Sequence, residues 1–477
     1  MKKLIAVFVI ALSLSLLLLL CSCNNSHGGT GEDGGEQSNE GEITISLHPV
    51  ASPVTLAKPV TVSYLSAARD AYASPAYSDY TGSIISYFPS LASDFADRPD
   101  VLTLSFEGDE SFSSYTLLLS LTPDFSASVR VFSLGKETSL SVTNLYTGAT
   151  YYWRVEGKTA NGEAVVSDTS AFTTEANAVR WIAVDGIRNV RDLGGWTGLR
   201  QGMVFRGSEM NLVGNHGLEI TKEGRRVMTD ELGIKTDLDL RSALNNGSVI
   251  SPLGSKVSWI NHPIGNFLSA FDGTYLPVLK EFANPMNYPI YMHCWGGADR
   301  TGTVAMILEG LCGVAEEDIS ADLELTSFST FGYRYRYDNG EYLFASTLAK
   351  IKTDYEGDTL KEKFESYALS LGLTRAEISN IQSLLCGTGV TFAFNTLEDI
   401  FLHPASEIDT VLNIHAPKGQ TVTAVSLEGN ALAFGYQSGV LTISSRELKN
   451  PGISTGVLLI EMSDGQTLAT DFSLLTE

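Results

Sequence analysis

Hydrophobic and polar positions change rhythm several times along the chain. An unbroken apolar run, Leu4 to Leu20, follows Lys2 and Lys3. From about Gly41 to Glu175 short runs alternate, "VLTLSF", "SSYTLLLS", "SVRVFS", "TSLSVTNL" and "TYYWRVEGKT". A period of two with frequent turn residues predicts an antiparallel β-sandwich. Within it "LSAARDAYASPAYSDYTGSIISYFPSLASDF" is not strand-like and reads as a partly helical insertion. From Arg180 to about Gly387 helical periods alternate with short strands. "ITKEGRRVMTDELG" has Thr221 as its cap and Gly233 as its stop, "IKTDLDL", "KVSWINHP" and "YPIYMHC" read as strands, and five helical segments follow. From Gly389 to Glu477 alternation returns, in "TVLNIHA", "TVTAVSLEG" and "GVLTISSREL". The expected fold is multidomain: an α/β domain with a central, mainly parallel sheet flanked by helices, between two β-sandwich domains. The expected boundaries are 1–23 for an export signal, 24–41 for a linker, 42–176 and 389–477 for the sandwiches, and 177–388 for the α/β domain.

Composition refines the ends. The apolar run with its basic start has the build of an export signal and is at the short limit for a membrane span. Its ending, "LCSC", resembles a bacterial lipobox, with Leu20 and Ser22 before Cys23, which implies Cys23 as a lipidated first residue. The following "NNSHGGTGEDGGEQSNEGE" has almost nothing apolar to bury and reads as a tether. The expected location is exported, lipid-anchored on the outer side of a bacterial membrane. A net charge of −23 argues against nucleic acid as a partner. Beyond Cys21 and Cys23 only Cys294, Cys312 and Cys386 remain, too few for a disulfide framework. Cys312 and Cys386 lie in apolar helical patterns and are expected to be buried thiols.

Cys294 stands apart. In "YPIYMHCWGGADRTGTVAMILEGL" an apolar strand reaches it, a glycine-rich bend follows, and an apolar-periodic segment begins after Arg300. Ligands of parallel sheets gather at the carboxyl ends of the strands. A phosphate ester repels nucleophiles by its charge, so its cleavage calls for a soft nucleophile and a cradle of donors. A loop from Trp295 through Gly296, Gly297 and Ala298 would wrap N–H groups around a phosphate, and the helix after it would aim its positive end there. Such donors also lower a thiol pKa, from about 8.5 to roughly 3.5 to 7.5 at helix N-termini. Cys294 would attack phosphorus, Arg300 would fork two phosphate oxygens, and Thr301 would hydrogen-bond the sulfur.

This segment resembles the CX5R signature of cysteine-dependent protein tyrosine phosphatases in its HCxxGxxR(S/T) form, through His293, Cys294, Gly297, Arg300 and Thr301. Upstream, "NVRDLGGWTG" with Asn189, Arg191 and Asp192, "MVFRGSEM" with Arg206 and Ser208, and "KTDLDLRS" with Asp239 and Arg241 resemble the N(F/V)RDLGG, (Y/F)RS and DLR elements of the bacterial family ending in HCxxGKDRTG. The resemblance spans nearly all of Arg180 to Gly387 and implies hydrolysis through a phosphocysteine, without metal or other cofactor. No His, Cys and carboxylate cluster has metal-ligand spacing. Asp239 and Arg241 are expected to pair beneath the site. In the flanks, "NLYTGATYYWRVEGKTANGEAVVSDTSAFTTE" resembles the closing half of a fibronectin type III domain, with Leu145, Gly148 and Tyr151 at the spacing of its tyrosine corner and Thr147 where proline is usual. "LTISSRELKNPGISTGVLLIEMSDG" resembles an immunoglobulin-like module of the X2 type.

The leaving oxygen needs a proton donor. The resemblance implies Asp299, before the arginine; the alternative is Asp272 in "SAFDGTY" on an upstream loop, and a reading of Asp299 as the mere partner of a neighbouring arginine stays open. His293 orients the loop or is a core residue; Trp295 stacks at the rim or packs beneath the loop. "TSFSTFGYRYRYDNG", with Arg334 and Arg336 among Tyr333, Tyr335 and Tyr337, forms a substrate-facing rim or an exposed, solvated stretch. Ala298 stands where relatives that accept phosphoinositides carry lysine, which shifts the expectation toward a phosphotyrosine-type ester on a protein or small molecule. The alternatives are a phosphoinositide or inositol phosphate phosphatase and, in another class, a non-catalytic cell-surface binding protein. Nothing in the sequence sets the oligomeric state.

Overall fold

The structure is a computed structural model of the 477-residue chain. It describes residues 43–477 except 73–84, 89–95, 127, 212–217, 243–249, 338–342, 388–399, 403, 406, 408, 414–420, 438–439, 464–466 and 476–477. The expected signal, Cys23 and the tether lie outside the described residues.

Two sheets form around the first described stretch. One orders β1 (Ile45–Leu47), β2 (Leu102–Gly108) and β5 (Ser139–Val142). The other orders β4 (Arg130–Gly135), β3 (Phe112–Ser120), β6 (Thr150–Thr159) and β7 (Ala164–Val166), with β8 (Ser170–Thr173) also on β6. Their inward residues, among them Leu104, Phe106, Leu117, Trp153 and Val155, make one apolar core. Alternation along β6, with Tyr151, Trp153 and Val155 buried, is the signature of a half-buried strand. The Tyr151 hydroxyl accepts from the Tyr146 backbone N–H at 2.8 Å, closing a corner before β6.

The insertion holds a 14-residue helix, α1 (Pro59–Tyr72), that begins ahead of the stretch read as helical. Its first turns, "PVTVSY", are rich in β-branched residues of modest helix propensity. Tertiary burial decides: Tyr64, Leu65 and Ala68 pack with Phe88, Trp181, Leu325 and Phe328.

Between Arg180 and Gly387 lies a five-stranded sheet ordered β12 (Ser258–Asn261), β11 (Thr236–Asp239), β13 (Ile290–His293), β10 (Val204–Gly207) and β9 (Arg191–Asp192). All neighbours are parallel except β9. Strands β10, β11 and β13 are buried at every position, as parallel strands covered on both faces must be. Register places Gly207, Asp239 and His293 side by side at their carboxyl ends. Cys294 follows that edge.

The helices are α2 (Lys222–Arg226), α3 (Tyr275–Ala283), α4 (Asp299–Leu311), α5 (Glu316–Leu325), α6 (Phe344–Asp354), α7 (Leu360–Leu371) and α8 (Arg375–Leu385). Thr221 caps α2 by accepting from Gly224 N–H. Capping boxes, Thr359 with Glu362 and Thr374 with Glu377, start α7 and α8. Helix α4 is buried from Thr301 to Leu311, and Gly310 lets the Phe364 ring approach where a Cβ would stand 2.2 Å from it.

Cys312, at the end of α4, and Cys386, at the end of α8, form a disulfide with Cα atoms 5.2 Å apart. This corrects the expectation of two buried thiols. Each cysteine read within its own helix looks like core, and only the packing of α8 near α4 brings the two ends together. Cys294 is the free cysteine among the described residues.

Past residue 399, β14 (Ile400–Leu402), β21 (Thr467–Leu474), β20 (Thr455–Met462), β16 (Val422–Leu427) and β17 (Asn430–Ala431) form one sheet. The strands β15 (Thr410–Asn413), β19 (Val440–Ile443) and β18 (Gly435–Gln437) form another. Leu427, Leu441, Ile443, Leu458 and Ile460 share their core. No helix among the described residues is long and apolar enough to cross a membrane.

Candidate active site

The segment from Cys294 to Arg300 curls between the end of β13 and the first turn of α4, and its carbonyls are fixed one by one. The Trp295 carbonyl accepts from Glu209 N–H at 2.8 Å, Gly296 from Asn189 Nδ2 at 2.9 Å, and Gly297 from Arg206 Nη2 at 2.7 Å. The Ala298 carbonyl accepts from Gly302 N–H at 2.8 Å and Arg206 Nη2 at 3.2 Å. A peptide plane whose carbonyl is pinned outward presents its N–H on the other side. Four such planes in succession therefore turn N–H groups toward the inside of the loop, at the start of a 13-residue helix. Together they make an anion cradle. Gly297 has φ +66, and a Cβ there would lie 2.1 Å from the Gly207 carbonyl oxygen, so the turn admits only glycine.

Cys294 is 3% exposed. Burial pushes its thiol up, but the Arg300 charge and the Thr301 hydroxyl and backbone N–H outweigh burial and hold it below the ordinary thiol value. Among the described residues the Thr301 hydroxyl has no nitrogen or oxygen partner to compete for it. The arrangement favours a thiolate, the form that attacks.

An open cleft of about 210 Å³ reaches Cys294, walled by Trp295, Asp299, Arg300, Phe331 and Arg334. Arg300 lies 5.7 Å over the half-buried Trp295 ring, which therefore stands at the rim, and donates to the Leu240 carbonyl at 3.3 Å. Asp299 gives both carboxylate oxygens to Arg334, at 2.6 and 3.0 Å. Asp272 does not line the cleft; it is exposed and accepts from Thr274 N–H and Oγ1.

His293 is buried, with Nε2 2.9 Å from Asp237 Oδ1 and Nδ1 3.1 Å from the Cys294 carbonyl. Burial lowers its pKa but the charges of Asp239 and Asp237 outweigh burial and raise it. His293 thus ties the strand end to the loop. Asp239 receives Arg241 through its backbone N–H, Nε and Nη2, each at 2.9 Å, and Arg241 Nη1 continues to Glu209 at 3.0 Å, the residue that holds the Trp295 carbonyl.

A second network lies below. Arg206 Nη1 and Arg191 Nε both bind Asp322 of α5, the latter at 2.9 Å, and Arg191 Nη1 binds Asn189 Oδ1 at 2.7 Å. Burial raises the Asp322 carboxyl, but the two guanidiniums override it and hold the group low. Burial and the adjacent Arg206 push Arg191 down to about 10, still cationic at neutral pH. Asp192 is tied to Arg180 at 2.6 Å and to two glycine N–H groups, shaping the turn before β10. Arg336 is buried on Glu324 and Arg334 faces the cleft, so the two arginines of the tyrosine-rich stretch part company.

The structure thus groups Cys294, Asp299 and Arg300 at the cleft, with Thr301 buried beside the thiol, and sets Asn189, Arg191, Arg206, Asp239, Arg241 and His293 behind them. Sequence reading overlooked Asp322, Glu209, Asp237 and Asp97. The available signal for Asp322 was electrostatic: two arginines buried beside the sheet need an anion, and "EEDISADLEL" carries the acids.

Residues 182–387 match the model of the tyrosine phosphatase family. A protein of Cupriavidus necator named "Putative tyrosine-protein phosphatase" is 27% identical over 176 residues, 30% of this chain. The chain spans about three fifths, 61%, of that curated relative's length. Among solved structures, the core catalytic domain of the PP-IP phosphatase SIW14 of S. cerevisiae aligns over 31% of this chain and 80% of its own at 16% identity, with a TM-score of 0.23.

Proposed function

We propose that residues 177–388 form a phosphatase domain that hydrolyses phosphotyrosine-type monoesters through a phosphocysteine. The observation that carries the reading is the ring of outward-pinned carbonyls around a Cys294 thiol held below its ordinary value. The Cys294 thiolate attacks phosphorus inside the cradle, the P–S bond forms, and the bond from phosphorus to the ester oxygen breaks. Arg300 and the loop N–H groups hold the charge developing on the phosphoryl oxygens. Asp299, on the cleft wall, enters the cycle as the carboxylic acid, having taken a proton from solvent on an oxygen that Arg334 releases, and passes that proton to the leaving oxygen. Water then attacks phosphorus, its proton passes to Asp299, and the P–S bond breaks with Thr301 donating to the departing sulfur.

The cleft's own cations favour a monoester over a polyphosphate. Of its lining guanidiniums, Arg334 is matched by Asp299, so the surplus positive charge is that of Arg300. Trp295 and Phe331 supply aromatic walls for an aryl group. The reading of residues 1–23 as a lipoprotein signal places this domain on the outer side of a membrane, and loss of lipid labelling in Cys23→Ser tests it.

The activity is tested with an aryl phosphate: hydrolysis that vanadate inhibits and Cys294→Ser abolishes is expected. Hydrolysis that survives Cys294→Ser contradicts the reading.

A further inference from the structure

We infer that Asp97, which lies in the sequence outside the family-matched segment, is a positioning residue for the phosphate loop. It is fully buried and serves two neighbours. Its Oδ2 accepts from Asn189 backbone N–H at 2.8 Å and from Arg188 Nε at 3.1 Å, and its Oδ1 from Arg188 Nη2 at 2.5 Å. Asn189 is held in the left-handed region, φ +59, which asparagine enters more readily than most residues but which it keeps here with its backbone N–H fixed on Asp97. From that conformation its Nδ2 reaches the Gly296 carbonyl at 2.9 Å. The path from the carboxylate to the cradle is therefore Asp97, Asn189, Gly296.

The surrounding stitches keep Asp97 in place. Ala96 N–H donates to the Phe328 carbonyl at 3.1 Å, and Arg98 donates to the carbonyls of Val184 and Ile187 at 2.7 and 2.6 Å. These bonds clamp residues 96–98 against both the turn at residues 184–187 that leads to Asn189 and the turn after α5. An asparagine at 97 keeps the shape but offers one acceptor oxygen and no charge to three N–H donors on two residues. Asn189 then relaxes toward ordinary backbone, Gly296 loses its anchor, and the Gly297 N–H leaves the cradle. A displacement near 1 Å at a reacting centre costs up to about a hundredfold.

The inference rests on the reading of the loop as a phosphate cradle, and two readouts keep them separable. The full chain, Asp97→Asn, Asn189→Ala and the double variant are compared for kcat and KM on p-nitrophenyl phosphate. In parallel, the concentration of inorganic phosphate that half-protects Cys294 from iodoacetamide is measured. Asp97→Asn is expected to lower kcat about tenfold or more and raise the half-protecting concentration several-fold, with KM and phosphate protection moving together. In the Asn189→Ala background the same change is expected to do almost nothing, because both act through one peptide. Equal losses in the two backgrounds, or a folded Asp97→Asn with wild-type values, overturn the inference. If Asp97→Asn does not fold, Asp97→Glu, which keeps the charge on Arg188 but shifts the oxygens by one methylene, supplies the same comparison. A wild-type chain that phosphate protects but that hydrolyses nothing contradicts the proposed activity and leaves the protection readout to judge Asp97. If phosphate fails to protect the wild type, the cradle reading falls and the inference with it.

Discussion

Arg334 holds both carboxylate oxygens of Asp299, Nε to Oδ1 at 2.6 Å and Nη2 to Oδ2 at 3.0 Å, at the wall of the cleft that opens onto Cys294. The same Arg334 guanidinium donates to the carbonyls of Phe331 and Tyr333, so the fork is anchored from behind. This pair aims Asp299 and withholds it at once.

If Asp299 is the acid, its loss is felt where the leaving group needs a proton. Asp299→Asn is expected to slow phenyl phosphate hydrolysis by about a hundredfold and p-nitrophenyl phosphate, whose leaving group departs unaided, far less. Asp272→Asn, outside the cleft, is expected to slow neither by more than about twofold. Steady-state rates on the two esters check this; equal losses on both in Asp299→Asn would point to a positioning role alone.

Thr301 contributes to the low thiol pKa through both its hydroxyl and its backbone N–H. Thr301→Ala removes the hydroxyl and leaves the N–H. The thiolate exists above the folded pKa, so raising that pKa moves the midpoint of Cys294 alkylation to higher pH. Iodoacetamide rates measured against pH are expected to show an upward shift in the variant; an unmoved midpoint shows that Arg300 and the backbone suffice.

Glu309, in the buried interior of α4, has no hydrogen-bond partner on either oxygen among the described residues. Burial and the neighbouring Asp322 raise its pKa well above the ordinary carboxyl value. A raised folded pKa means the native state keeps a proton the unfolded chain releases, so its stability falls as pH rises from the ordinary glutamate range toward the folded pKa. Glu309→Gln removes that slope. Urea unfolding from pH 5 to 8 is expected to show the variant gaining on the wild type as pH rises; a constant difference contradicts the assignment.

The disulfide between Cys312 and Cys386 spans 74 residues of chain. Closing a loop of that length in the unfolded state is worth about 4 kcal/mol in the chain-entropy view. The double variant Cys312→Ala with Cys386→Ala is expected to lose a few kcal/mol in denaturant unfolding and to retain the alkylation behaviour of Cys294. Two additional reactive thiols in the oxidised wild type would contradict the pairing.

The strands and helices of the α/β region were legible because their signals are local. Alternation or burial marks β11 and β13, Thr221 caps α2, and Gly233, with φ +65, follows the turn that continues it. The cradle was legible because Cys294, Gly297 and Arg300 sit within one short loop. What holds the cradle is assembled from afar. Asp322 lies 131 positions from Arg191, and Asp97 lies 92 from Asn189. No periodicity encodes such pairings; they follow from how α5 and residues 96–98 pack. The start of α1 escaped for a related reason, since burial of Tyr64 and its hydrogen bond to Glu324 at 2.7 Å override the β-branched turn before it. The fate of Arg334 was open until the fold set it against Asp299 and sent Arg336 to Glu324.

The central claim is that Cys294 carries the phosphoryl group during turnover. The direct measurement is rapid acid quenching of the enzyme with an aryl phosphate, followed by mass spectrometry of the peptide containing Cys294. One added phosphoryl group on that cysteine, absent in Cys294→Ser and prevented by vanadate, is the predicted result. Turnover proceeding with Cys294 unmodified at every quench time, or with the phosphoryl group on another residue, contradicts the account.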